Sequence, residues 1–180
     1  GDWSSDVCSS DLSNGAQFVG RLAYHPGPSL TIGASAAHAP FASTAAGRAA
    51  GLPDASFLTQ AAYGADFQFS RGHDVIRGET IVSQWQLPAV RAPYVDRPLT
   101  AVAISLEGQH RIMPGLYGAV RADHLGFNQI GGSAGFRDWE APVTRIEAGG
   151  GYSPIRNVVL KVSYQYNRRD LTRVPRSHLV

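Results

Sequence analysis

Residues 157–167 read NVVLKVSYQYN. Val158, Leu160, Val162, Tyr164 and Tyr166 fall on one parity, and Val159, Lys161, Ser163, Gln165 and Asn167 on the other. Successive side chains of a β-strand point to opposite faces, so this alternation predicts a strand with one apolar and one mostly polar face.

The same logic extends outward from that segment. In TRIEAGGGY (144–152), Ile146, Ala148, Gly150 and Tyr152 alternate with Arg145, Glu147, Gly149 and Gly151. In LTAVAISLEGQHR (99–111), Val102, Ile104 and Leu106 alternate with Ala103, Ser105, Glu107 and Gln109. In AAYGADFQFS (61–70), Tyr63, Ala65, Phe67 and Phe69 alternate with Gly64, Asp66, Gln68 and Ser70. The whole chain read this way predicts eight strands, near 16–25, 30–38, 58–69, 75–85, 100–111, 116–126, 142–152 and 158–168. Helical periodicity is absent. The Ala-rich stretch ASTAAGRAAGLPDAS carries Gly and Pro and reads as a loop.

The connections carry more information than the strands. HPGPS, SRGHD, RIMPG and SPIRN are short and built of turn residues. The others are long: residues 39–57, 86–99, 127–141 and 169–177. Short and long alternate, so an up-and-down meander would place every short turn at one end and every long loop at the other. The expected fold is all-β, an antiparallel meander of about eight strands forming part of a transmembrane β-barrel.

A soluble barrel also alternates apolar and polar residues, so parity alone does not choose between water and membrane. Length and asymmetry do. Soluble strands run about five or six residues, and membrane-spanning strands roughly nine to eleven. Short turns at one end and long loops at the other match the outer-membrane pattern. On the apolar parity, Tyr24, Phe69 and Tyr152 lie near the short turns. Tyr63, Tyr164 and Tyr166 lie nearer the long loops. Those are the positions of interfacial aromatic girdles.

On GRLAYHPGPSLTIGASAAHAP, AYGADFQFSRGHDVIRGE and RIEAGGGYSPIRNVVLKVSYQYNRRD, residues 16–180 resemble the C-terminal part of a bacterial outer-membrane porin. They are loosely similar to the phosphate-selective group. The resemblance implies an outer-membrane location and passive diffusion of small hydrophilic solutes or ions. It implies outer-membrane lipid and lipopolysaccharide as surroundings, and it admits a homotrimer. No enzymatic activity, cofactor or nucleic-acid partner is expected. The aromatic-ended final strand of such proteins is missing, so a further strand after SHLV and several before residue 16 are expected. The isolated chain is then expected to insert poorly and to give no stable conductance.

Residues 1–12, GDWSSDVCSSDL, differ in character from the rest and resemble a short-read sequencing adapter translated as protein. They are set aside as no part of the fold, which leaves 13–180 as the partial barrel. Removing Asp2, Asp6 and Asp11 from the 14 acidic residues leaves 11 against 16 basic ones, a formal charge of +5 in place of +2. That is not the dense basic patch of a nucleic-acid binder. The lone cysteine, Cys8, goes with them, and with it any disulfide or thiolate metal site. His25, His38, His73, His110, His124 and His178 are scattered without ligand spacing.

The polar parity holds Arg21, Arg77, Arg121, Arg145 and Lys161, with Asp66, Glu79, Glu107, Asp123 and Glu147. These are the candidate lumen-facing, pore-lining residues. At mid-depth in lipid each basic side chain would cost about 2–4 kcal/mol and each acidic one less, so a watery interior is their natural place. Their balanced signs favour pairing across strands over a strong selective field. A turn centred on Pro114 would set Glu107 against Arg121, and one centred on Pro154 would set Glu147 against Lys161. Loop arginines (Arg48, Arg91, Arg97, Arg137, Arg168, Arg169, Arg173, Arg176) read as solvated charge.

Two other function classes stand beside the porin. An outer-membrane enzyme needs a nucleophile and a base, or paired carboxylates. Ser35, Ser83, Ser105 and Ser163 are ordinary strand serines, and GGSAG at 131–135 only loosely resembles a nucleophile elbow. A small plugged barrel with a structural or adhesive role is the other. An eight-stranded barrel is filled by side chains, whereas about sixteen strands leave a channel.

Overall fold

The computed structural model describes residues 16–42, 47–48, 51, 58–87, 98–132 and 135–169. The adapter-like residues 1–12 lie outside these, as do Arg91, Arg97, Arg173, Arg176 and His178. So does most of the Ala-rich stretch, of which residues 47–48 are helical.

Ten strands form: β1 (Phe18–Gly27), β2 (Leu30–Pro40), β3 (Thr59–Arg71), β4 (Asp74–Trp85), β5 (Leu99–Met113), β6 (Leu116–Phe127), β7 (Gln129–Gly132), β8 (Gly135–Asp138), β9 (Val143–Tyr152) and β10 (Leu160–Arg169). Eight of them make one antiparallel sheet in the order β1-β2-β3-β4-β5-β6-β9-β10. This is the expected up-and-down meander, and each of its strands begins and ends close to its predicted bounds. Strands of 10 to 15 residues result, long by the standard of water-soluble sheets. The sheet does not close, and β1 and β10 are its two edges.

Three connections at one end are two-residue turns, at 28–29, 72–73 and 114–115. Gly72 and Gly115 take φ of +60° and +82° there, a conformation that costs L side chains but not glycine. Small bulges between Tyr24 and Gly27, and between Arg111 and Met113, sit beside two of these turns.

Two features depart from the sequence reading. The predicted loop 127–141 contains the hairpin β7–β8, a separate two-stranded sheet. The β9–β10 connection is also longer than the predicted SPIRN turn. It runs from 153 to 159 and contains a local turn closed by Val158 N–H donating to the Ile155 carbonyl at 3.2 Å, with Asn157 at φ +71°. The extra turn slides β10 along β9.

Burial is the reverse of a water-soluble domain. On β5, β6 and β9 the polar-parity residues are the more shielded and the apolar-parity residues the more exposed. Ile104, Leu106, Val120 and Ile146 are each more than half exposed, in the middle of the sheet. Among the described residues no large side chain is fully buried. The polar face is therefore the more shielded of the two, and the apolar face the more exposed. The few buried apolar residues, Leu58, Leu99, Ala101, Ile130 and Ala141, gather at the long-loop end, where loops pack on strand ends. Asn128 fastens that end. Its side chain accepts from Thr100 N–H at 2.8 Å, and its own N–H donates to the Thr100 carbonyl at 2.9 Å.

Candidate functional site: the polar face

All ten candidate residues lie on the polar face. Register fixes this, because cross-strand partners share a face. One row runs Arg77, Glu107, Arg121, Glu147 and Gln165 across β4, β5, β6, β9 and β10. Its charges alternate in sign from strand to strand until the neutral glutamine. A second row runs Asp66, Glu79, Ser105, Asp123, Arg145 and Asn167.

Glu107 stands opposite Arg121, as expected from a turn at Pro114. Its ion pair, however, is with Arg77, whose Nη1 lies 2.7 Å from Glu107 Oε1. Arg77 Nε also donates to Gln68 Oε1 at 3.1 Å. Arg121 turns along its own strand to Asp123 at 2.8 Å, and Arg145 reaches the other oxygen of the same carboxylate at 2.8 Å. Asp123 is the most shielded carboxylate among the ion-paired residues, its side chain 16% exposed.

The expectation that Glu147 faces Lys161 fails. Glu147 faces Gln165, and Lys161 faces Gly151. The longer β9–β10 connection shifts the register by four residues. Four is an even number, so no side chain changes face. Arg168 and Arg169, expected in a loop, end β10. Arg168 shares the outer face with Tyr166, and Arg169 the polar face with Asn167.

Asp66 and Glu79 are directly opposed like charges, an unfavourable pair by itself. Arg21 offsets it from two strands away, its Nη2 2.6 Å from Asp66 Oδ1. The reach depends on Gly33, which lies between them on β2. A Cβ there would fall on the Asp66 carboxylate and the Arg21 guanidinium. Gly64 gives the Ser35 hydroxyl similar room. Sequence reading missed both, because a glycine in a strand signals close approach without naming what approaches.

The polar face forms open troughs. One of about 480 Å³ is lined in part by Arg21, Asp66, Arg77, Glu79 and Glu107. Another of about 480 Å³ has Arg121, Asp123, Arg145 and Arg169 in its wall. Ser35, Ser83, Ser105 and Ser163 stand on this face among polar and small neighbours. GGSAG joins two strands, β7 and β8, instead of a strand and a helix. Among the described residues no group of three His, Cys, Asp or Glu side chains is placed to hold a metal. No helix of the described residues is long and apolar enough to cross a membrane, which says nothing of crossing by strands.

Comparison with known proteins finds no matching family model, and no match among curated proteins or solved structures.

Proposed function

We propose that the chain forms part of the wall of an outer-membrane channel. Its apolar face meets lipid, and its polar face lines a water-filled path for small hydrophilic solutes or ions. The observation that carries this reading is the inverted burial. Large apolar side chains on the more exposed face need an apolar solvent, because contiguous exposure on this scale is rare in water-soluble monomers. A soluble ligand-carrying barrel would turn the apolar parity inward, and here the ion pairs Arg77–Glu107 and Arg145–Asp123 occupy that side. Among the described residues β1 and β10 are the edge strands, and backbone left unpaired is costly in hydrocarbon, so in the membrane both edges take partner strands.

Thiol accessibility tests the facing. In a Cys8→Ser background folded in neutral-detergent micelles, Ser105→Cys should react quickly with a charged, water-soluble thiol reagent. Ile104→Cys should be shielded. Equal reactivity, or a chain that stays monomeric and folded in water without detergent, would overturn the membrane reading.

A further inference from the structure

The register shift between β9 and β10 separates two opposite charges that a tighter turn would have paired. Glu147 faces Gln165, and Lys161 faces Gly151. Neither Glu147 nor Lys161 forms an ion pair among the described residues. Both line one trough of the polar face, of about 310 Å³, together with Glu107, Tyr117, Arg121 and Ser163. That volume is at the lower end of small-molecule sites. From Glu147 toward Lys161, β9 presents only Gly149 and Gly151 on this face. A Cβ on Gly149 would fall on the Val162 carbonyl and the Ser163 side chain, and one on Gly151 would fall on the Tyr117 ring. The floor between the two charges is therefore bare backbone.

The trough has a negative and a positive end. At one end Glu107 and Glu147 stand on either side of Arg121 in register. Glu107 is held by Arg77 and Arg121 is turned to Asp123, so Glu147 is the carboxylate left to accept. At the other end Lys161 and Tyr117 flank Gly151 from β10 and β6, an ammonium and a phenol that both donate. Glu107 and Glu147 balance Arg121 and Lys161, so a simple anion or cation meets as much repulsion as attraction. We propose that this trough binds a zwitterion of dipeptide length, its ammonium on Glu147 and its carboxylate on Lys161 and Tyr117. The proposal rests on the channel reading above and names a solute class for it. Glu147 and Gly151 lie four residues apart on β9, about 13 Å along a strand. Side chains stand roughly perpendicular to a sheet, so their charged ends keep that spacing. An extended dipeptide spans about 7 Å. About 3 Å then remains at each end, the length of a hydrogen bond. A free amino acid, half as long, reaches one charge at a time.

The test titrates alanyl-alanine into the full chain in neutral-detergent micelles and follows the Gly149 and Gly151 amide resonances, which it should shift. N-acetyl-alanyl-alanine lacks the ammonium, and alanyl-alanine amide lacks the carboxylate. Each should bind about five-fold more weakly, the effect of one hydrogen bond at an exposed site. Glu147→Gln should erase the preference over the acetylated form, and Lys161→Gln the preference over the amide. The Ser35 and Ala65 amides, on β2 and β3, should stay unmoved and so report an intact fold. Where a variant moves them, the three dipeptides on the parent chain decide. Equal shifts by all three, no shift by any, or variants that fold but keep both preferences would overturn the proposal. Those outcomes leave the channel reading intact, provided Ser105→Cys still reacts and Ile104→Cys is still shielded in the same micelles. If that contrast is lost, both readings fall.

Discussion

Leu106 and Glu107 are neighbours in the chain with opposite environments: one faces outward more than half exposed, the other is paired to Arg77. Single substitutions should therefore separate by parity. Ile104→Arg puts a charge on the outer face, at a cost of about 2–4 kcal/mol at bilayer mid-depth. Ser105→Arg puts the same charge between Glu79 and Asp123 on the polar face. Folding yields in neutral-detergent micelles, compared by protease protection, should fall sharply for the first and little for the second. Gly33 offers a finer test. Gly33→Ala should displace the Arg21–Asp66 pair and destabilise by about 1 kcal/mol or less, since exposed ion pairs contribute little. In an Asp66→Ala background that loss should vanish. A cost that persists in chemical denaturation would mean the backbone, and not the ion pair, needs the glycine.

Between strands, the turns and the Asn128 fastening set what can move. Gly115→Val should cost more than Gly33→Ala, because it strains a left-handed φ and brings Cβ to 2.8 Å from the Ser153 carbonyl. Asn128→Ala should leave β5 and β6 paired but free the Thr100 amide. Hydrogen exchange there should speed up, while the Ile104 amide stays protected. The same scale marks how far the sequence could be read. Period-two alternation in segments such as LTAVAISLEGQHR tells which face each side chain takes, and within the observed strands the structure keeps those assignments, whereas Asn157, Val158 and Val159, read as strand, lie in the β9–β10 connection. Register along the strand is weaker information, because it depends on the number of residues in the turn. PG at 114–115 forces a tight turn, and Glu107 meets Arg121 as expected. SPIRNVV admits an extra local turn around Asn157, so Glu147 meets Gln165 instead of Lys161. The hairpin β7–β8 was legible in principle, from Ile130 and Phe136 flanking a glycine-rich GGSAG. Which carboxylate each arginine chooses was not legible, because several lie within reach on one face.

Taken whole, the sheet has, among the described residues, two edge strands of ten residues each. Micelles holding this chain should contain concentration-dependent oligomers by analytical ultracentrifugation, as edges pair between copies. A monomer at every concentration, with β1 and β10 amides protected from exchange, would mean that the two edges close on each other. The order of strands has a further consequence, for the time course of folding. Seven ladders join the main sheet, and six of them link strands adjacent in sequence. Three of the six are closed by two-residue turns, so these hairpins need little loop-closure entropy and can form first. Only β6 with β9 must wait for an intervening hairpin to be placed. Assembly would then proceed as short local zippers docking side by side, with the β6–β9 seam the slow step. A slow phase that quickens when residues 128–142 are shortened would bear this out.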